Sequence, residues 1–325
     1  MMEKILTVSV AAYNMEKLIS ENILSFASSK YKDKIELLVI NDGSKDNTKK
    51  IVEEYVDKYP EMVRLINKEN GGAGSTVNAG IEAATAKYFR MVDGDDYVDP
   101  ATIDEFIEFL SSHDSDIVIS NFSTFDSDSK EILTKRSFDL PETFEFDKFY
   151  LQIPNEMHAI TYKTEIMKKI HKLDNGFYTD VEYVLFPIQY VKTGSYFNQN
   201  VYMYRLGQSE QSVNPARMMK NINQHEIVLN TLCDWFESTS FDLESKKKFI
   251  STRISIMSRN NVVTLLFFNT SKDNYRKILN FISWQKKYNY LYNSFKKSKL
   301  LKTIRYFRYL GYVYVSKKFQ RDFGA

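Results

Sequence analysis

Tyr88-Phe89-Arg90-Met91-Val92-Asp93-Gly94-Asp95-Asp96-Tyr97 is the stretch on which the reading of the chain turns. Tyr88–Val92 is an apolar run of strand length, and it stops on three carboxylates within four residues. With no cation directly among them, three ionised acids would repel and raise one another's pKa. A hard divalent ion such as Mg²⁺ or Mn²⁺ removes that cost. It prefers oxygen, and one or two carboxylates plus substrate phosphates commonly hold it. Gly94 lets the backbone turn so that Asp93 and Asp95 project toward one point. The plainer alternative is an acidic loop after a strand, because D-x-D recurs by chance. The chain on either side decides between them.

Upstream, apolar β-rich runs alternate with helical patterns. Ile5–Ala11 is a first strand, since Lys4 alone precedes it and Tyr13-Asn14-Met15-Glu16 follows, which does not suit a signal segment. A helix is expected over Glu16–Ser28, a strand over Ile35–Asn41, a helix through Ile51–Val56, a strand over Met62–Ile66 and a helix over Thr76–Ala84. After Tyr88–Val92 come a helix over Ile103–Leu110 and a strand over Asp116–Ser120. Continuous Val/Ile/Leu strands alternating with helices imply an α/β, doubly wound, mostly parallel sheet.

Ligands of such sheets sit at the carboxyl ends of the strands. Those ends carry Ala11-Ala12-Tyr13-Asn14, Asn41-Asp42-Gly43-Ser44 and Asp93-Gly94-Asp95-Asp96. Beside them Asn70-Gly71-Gly72-Ala73-Gly74-Ser75-Thr76 opens a helix whose N-terminus offers free N–H groups to an anion. Any one of these could be a turn or a helix cap; all on one rim point to a site. Neither G-x-G-x-x-G nor G-x-x-x-x-G-K-[ST] is present, which argues against a Rossmann dinucleotide site and a P-loop. The rim suits a nucleoside diphosphate linked to something else.

Between about 122 and 215 the pattern becomes irregular. It contains a β-like hairpin over Phe122–Phe138, a helix over Phe144–Leu151, a strand at His158–Tyr162, a helix over Tyr183–Tyr190 and an aromatic β run over Ser195–Arg205. Asp180 and Glu182 stand at a helix start, where the dipole favours acids; an acid there could equally face the rim as a general base. Arg205 is either a surface arginine or a counter-charge for phosphate. Beyond Asn214 the patterns are all helical, through Ile227–Phe236, Phe249–Phe268, Tyr275–Trp284 and Tyr288–Phe319. The expected organisation is a 1–215 catalytic domain, with a nucleotide half over 1–121, and a helical region over 216–325.

Composition bounds the partners. The chain has 325 residues, 43% hydrophobic and 26% charged, as expected of a globular protein. The single Cys233 cannot pair internally, which fits a reducing cytoplasm. Net charge is +2, but Lys286–Asp322 holds eleven Lys/Arg against one acid, so residues 1–285 carry about −8. Leu301, Ile304, Phe307 and Leu310 recur there every third residue among Lys, Arg and Tyr. That is either a solvated face or an interfacial helix for anionic lipid over 286–325; nothing else supports nucleic acid. No run reaches the length of a transmembrane span.

Together these motifs resemble the family 2 glycosyltransferases of the GT-A fold, over about residues 4–210. The resemblance implies an inverting transfer from a nucleotide sugar, UDP-linked, to a glycan or lipid-linked glycan, using Mn²⁺ or Mg²⁺. It implies Tyr13 and Asp42 on the nucleotide base, Asp93 on ribose or diphosphate, Asp95 on the metal, and Asp180 as the base that deprotonates the acceptor. Ala11, Gly71 and Asn78 belong to the motifs that line the donor, and Arg205 would offset charge on the leaving diphosphate. Ala12 stands where the family has Pro, Thr76-Val77-Asn78 replaces Ala-Arg-Asn, and Thr179-Asp180 replaces Glu-Asp. Gly207-Gln208-Ser209 falls where some relatives place a histidine ligand, leaving Gln208 or water to complete the metal shell. Two other readings compete. A sugar nucleotidyltransferase would need a Gly-rich basic segment after strand one, which Ala11–Glu16 lacks. A catalytically degenerate, membrane-docked partner of an active transferase is the second.

Overall fold

Apolar strands need cover on both faces, and the first two have it. Every residue of β2 (Ile35–Asp42) is buried, as are all but Ala11 of β1 (Leu6–Ala12). The computed structural model describes residues 3–207, 221–268, 270–291 and 299–323. The chain divides into two compact units, Met1–Gln211 and Ser212–Ala325.

In the first unit β1 pairs in parallel with β2 and with β4 (Tyr88–Asp93), and β2 pairs with β3 (Val63–Lys68). Helices α1 (Ile19–Ala27), α2 (Thr48–Lys58) and α3 (Ala73–Ala83) make the crossovers, and α4 (Ile103–Ser112) follows the two-residue β5 (Tyr97–Val98). The glycine-rich segment thus turns helical at Ala73, three residues before the expected start. The sheet order is β3-β2-β1-β4, then β9 (Ile160–Lys163), β6 (Ile117–Asp126), β10 (Thr193–Leu206) and β5.

The second half makes the sheet mixed. β6 (Ile117–Asp126) runs parallel to β10 (Thr193–Leu206), while β9 (Ile160–Lys163) lies antiparallel between β4 and β6. Arg90 accounts for part of that placement. Its guanidinium is fully buried and donates to Thr161 Oγ1 (2.8 Å), to Ser120 Oγ (3.2 Å) and to the His158 carbonyl, joining β4 to the β9 and β6 side. Burial lowers its pKa to about 10, so it stays charged at neutral pH. The hairpin expected over Phe122–Phe138 is β6 turning into β7 (Ile132–Arg136). Phe144–Leu151, expected as a helix, opens as β8 (Thr143–Glu145) against β10 and is helical only as α5 (Phe146–Phe149). A short α6 (Thr164–Met167) follows β9, and α7 (Asp180–Leu185) gives way to a 3₁₀ turn over Phe186–Tyr190 with Pro187 at its start.

The second unit is helical over Ile222–Ser238, Glu244–Phe268, Lys272–Gln285 and Lys299–Phe323. Ser271 caps the third of these by accepting from the Asn274 N–H. Cys233 is a buried thiol. Of the helix expected over Tyr288–Phe319, residues 289–291 and those from Lys299 onward are helical, and 292–298 lie outside the described residues.

Candidate active site

Strand register gathers the motifs. Ala11 pairs with Ile40 on one side and Asp93 on the other, and Ala12 pairs with Asn41. The Gly94 N–H donates to the Ala11 carbonyl (3.0 Å), and a Cβ on Gly94 would stand 2.6 Å from that oxygen. Close approach to β1, more than the turn, is what demands glycine there. Asn22 on α1 braces the same turn, donating its amide to the carbonyls of Asp93 (3.2 Å) and Asp96 (2.8 Å).

The three acids take different roles. Asp96 is buried and accepts from the Tyr202 hydroxyl and from the Arg205 N–H, each at 2.7 Å. Asp93 and Asp95 keep partial solvent access. Among the described residues, no other residue donates a hydrogen bond to either carboxylate. Burial raises the pKa of all three, and for Asp93 and Asp96 the neighbouring carboxylates push further; at Asp95 the Arg205 guanidinium works against the rise. Asp180, in the first turn of α7, is also raised by its surroundings, opposed by the N–H groups of Val181 and of Asp180 itself. Its surface is open to solvent, so water moderates that rise. The charge of Asp180 reaches Asp93, and all four acids raise the Tyr204 hydroxyl beyond the effect of its burial. The turn after β4 and the start of α7 thus bring four carboxylates near enough for each to act on Tyr204.

This donor set fits a hard divalent cation: it is oxygen-rich, and burial holds its carboxylates above their ordinary pKa, which a bound cation would offset. Ligand atoms of Asp93, Asp96 and His158 also lie within 4.8 Å of one another. Asp96, however, already serves Tyr202 and Arg205, which leaves Asp93 and Asp95 as the accessible oxygens. His158 stacks on Tyr204 with centroids 4.2 Å apart. Among the described residues its Nδ1 has no hydrogen-bond partner, and burial lowers its pKa to about 3, keeping the ring neutral.

The other expected residues fall into two sets. Tyr13 is exposed beside the rim (45% accessible). Asp42 is buried and holds the glycine loop, accepting from Lys68 Nζ (2.6 Å), Gly71 N–H and Gly72 N–H (both 2.9 Å). It therefore organises the loop, its second oxygen accepting only from Gly72 among the described residues. Arg205, expected to face phosphate, instead turns its guanidinium onto the Asp95 carbonyl (Nε, 2.7 Å) and Glu21 and stacks 4.8 Å over Phe125. Asn78, expected on the donor, makes a reciprocal pair with Leu173, donating to its carbonyl (2.9 Å) and accepting from its N–H (3.0 Å). Both position other groups. Gln208 lies outside the described residues.

Asn78 is one of three straps on the segment that carries Asp180. Glu182 accepts from the Asp174 N–H (2.8 Å), and a Cβ on Gly74 would meet the Asp174 carbonyl at 1.8 Å, so α3 and this segment touch backbone to backbone. Tyr178 sits in the left-handed region (φ 70°), an uncommon state for a non-glycine residue just ahead of a candidate base. Sequence reasoning missed His158, Tyr202, Asn22 and Lys68. Nothing local marks them: the sheet order brings His158, Tyr202 and Lys68 into place, and α1 brings Asn22.

A family model described as Glycosyl transferase family 2 matches residues 7–172, just over half of the chain. The minor teichoic acid biosynthesis protein GgaB of Bacillus subtilis is 26% identical over 227 residues, covering 68% of this chain and 25% of GgaB. The poly(ribitol-phosphate) beta-N-acetylglucosaminyltransferase TarS of Staphylococcus aureus is 33% identical over 114 residues, covering 35% of this chain and 20% of TarS. The chain spans less than two-thirds of the length of the curated relatives it matches. Crystal structures of TarS 1–349 superpose over 98% of this chain, with UDP at TM-score 0.70 and 17% identity over 91% of that chain, and with UDP-GlcNAc at TM-score 0.63 and 18% identity over 92%. The mannosyltransferase PcManGT of Pyrobaculum calidifontis, in complex with GDP-Man and Mn²⁺, superposes at TM-score 0.55 and 12% identity, covering 98% of this chain and 85% of its own. At these identities the structural likeness is one of fold.

Proposed function

The chain belongs to the family 2 glycosyl transferases, and we propose that it moves a sugar from a UDP-linked donor to a glycan or lipid-linked glycan acceptor with inversion at the anomeric carbon. The observation that carries this reading is the grouping of Asp93, Asp95 and Asp96, after β4, with Asp180 at the start of α7, whose charge reaches Asp93 and Tyr204. TarS, captured with UDP and UDP-GlcNAc on the same fold, supports the choice of donor.

In the proposed reaction the acceptor oxygen forms a bond to the anomeric carbon while the bond from that carbon to the diphosphate breaks, and Asp180 takes the acceptor's hydroxyl proton. Asp180 suits the role because it is open to solvent and its pKa lies above the ordinary carboxylate value. Tyr13 flanks the base, and Ala11 and the loop at Gly71 line the donor. Asp93 and Asp95 would hold Mn²⁺ or Mg²⁺, which supplies positive charge to the leaving diphosphate. Arg205 acts one layer back: it fixes the turn through the Asp95 carbonyl and tempers the charge of that carboxylate. We place the reaction in the cytoplasm at the inner face of the cell membrane, where lipid-linked acceptors are presented. Titration calorimetry with UDP and Mn²⁺ tests the reading: saturable binding that fails in Asp95→Ala is expected. Absence of heat with the native chain would favour an inert partner protein.

A further inference from the structure

The last helical segment carries both buried and exposed apolar residues. Leu301 and Ile304 are buried, whereas Phe307 (60%) and Leu310 (77%) are exposed, along with Tyr306 (83%) and Tyr314 (63%). The segment bends at Arg308, whose backbone (φ 52°, ψ −131°) leaves the helical region. At this corner a Cβ on Gly311 would stand 2.4 Å from the Thr303 carbonyl, so the two helical arms meet backbone to backbone. The second arm is anchored: the Tyr312 hydroxyl accepts from the Ser271 N–H (3.3 Å), and Ser316 Oγ donates to the Leu266 carbonyl (2.7 Å). Three of the four exposed apolar side chains therefore flank a fixed bend.

We propose that this corner, built from Tyr306, Phe307, Leu310 and Tyr314, docks on an anionic lipid membrane. Single exposed apolar residues are ordinary, but a cluster of them ringed by cations marks an interaction surface. Residues 299–323 contain seven Lys/Arg against Asp322 alone, and Lys302, Arg308, Lys317 and Lys318 are exposed around the cluster. That charge selects the occupant. A second copy would bring the same cations face to face, whereas anionic headgroups attract them. Tyrosine and phenylalanine suit the boundary, with ring in the acyl edge and hydroxyl in the headgroups. The inference specifies the surface for the membrane placement proposed above and does not depend on the transfer chemistry.

The test is co-sedimentation of the full chain with vesicles of phosphatidylcholine, with and without phosphatidylglycerol. The native chain should bind the anionic vesicles and be released by salt. The variant Tyr306→Ser/Phe307→Ser/Leu310→Ser/Tyr314→Ser should bind at least about tenfold more weakly. Lys302→Glu/Lys317→Glu/Lys318→Glu should lose binding to a similar extent. Both sets change exposed positions, so unaltered thermal unfolding and UDP binding serve as the folding control. Equal binding by native and variant chains overturns the proposal. So does a dimer, seen by light scattering without vesicle binding, that the serine variant abolishes; that outcome assigns the corner to a second copy.

Discussion

Asp95 differs from its neighbour Asp96 in what already occupies its oxygens. Asp96 accepts from Tyr202 and Arg205, while the Asp95 carboxylate stays open to the cleft. Removing the Asp95 charge should therefore abolish metal-dependent binding and relieve repulsion in the metal-free protein. Asp95→Asn is expected to raise the metal-free melting temperature at pH 8 by about 1–3 °C, read by scanning calorimetry; an unchanged or lower value would contradict the electrostatic picture. The pH dependence follows with its sign. Folded-state pKa values above the ordinary ~4 mean that the native state holds protons more tightly than the unfolded one. This contribution is full below about pH 4 and is lost as pH rises through the folded values, up to about 8 where Glu182 titrates. Without divalent ions, stability should fall from pH 5 to pH 8 less steeply in Asp95→Asn. Asp180→Asn should lower transfer about 10²–10⁴-fold while leaving UDP affinity nearly intact; transfer at native rate would remove Asp180 from its role.

Among the elements, the segment from Leu173 to Asp180 carries the most consequence. Three contacts strap it, to Asn78, Gly74 and Glu182, and Asn78 supplies two hydrogen bonds from one side chain. Asn78→Ala should cost about 1–3 kcal/mol of stability and speed amide exchange over 173–179, lowering turnover more than donor affinity. Exchange indistinguishable from the native chain would show that the strap is redundant. This element also marks the limit of what sequence could show. The strands β1, β2 and β4 were legible because an apolar run covered on both faces has few alternatives, and Asp93 and Asp95 because their motif is local. β9 was legible as a strand, but not its antiparallel place between β4 and β6, which depends on Arg90 reaching Thr161 and the His158 carbonyl. Arg205 was visible as a cation near the site. Its engagement with Glu21, 184 residues away in sequence, was not.

At the scale of the molecule, charge is partitioned. Lys286–Asp322 carries a strong positive excess that offsets the roughly −8 of the remainder, so one region can favour an anionic surface while the chain as a whole stays near neutral. Among the described residues no helix is long and apolar enough to cross a membrane. The helical patterns beyond Asn214 were legible as amphipathic periodicity, but the corner at Arg308 was not. A residue with good helix propensity gives no local sign of a break, and only the packing of Gly311 against Thr303 reveals it. The central claim concerns the first unit: a rim of carboxylates binds a nucleotide sugar with a divalent ion and activates an acceptor. It is tested most directly by the rate of UDP release from UDP-sugars in Mn²⁺, with water as acceptor. Slow release by the native chain is expected, abolished by chelation and in Asp95→Ala; release that continues unchanged in that variant would contradict the account.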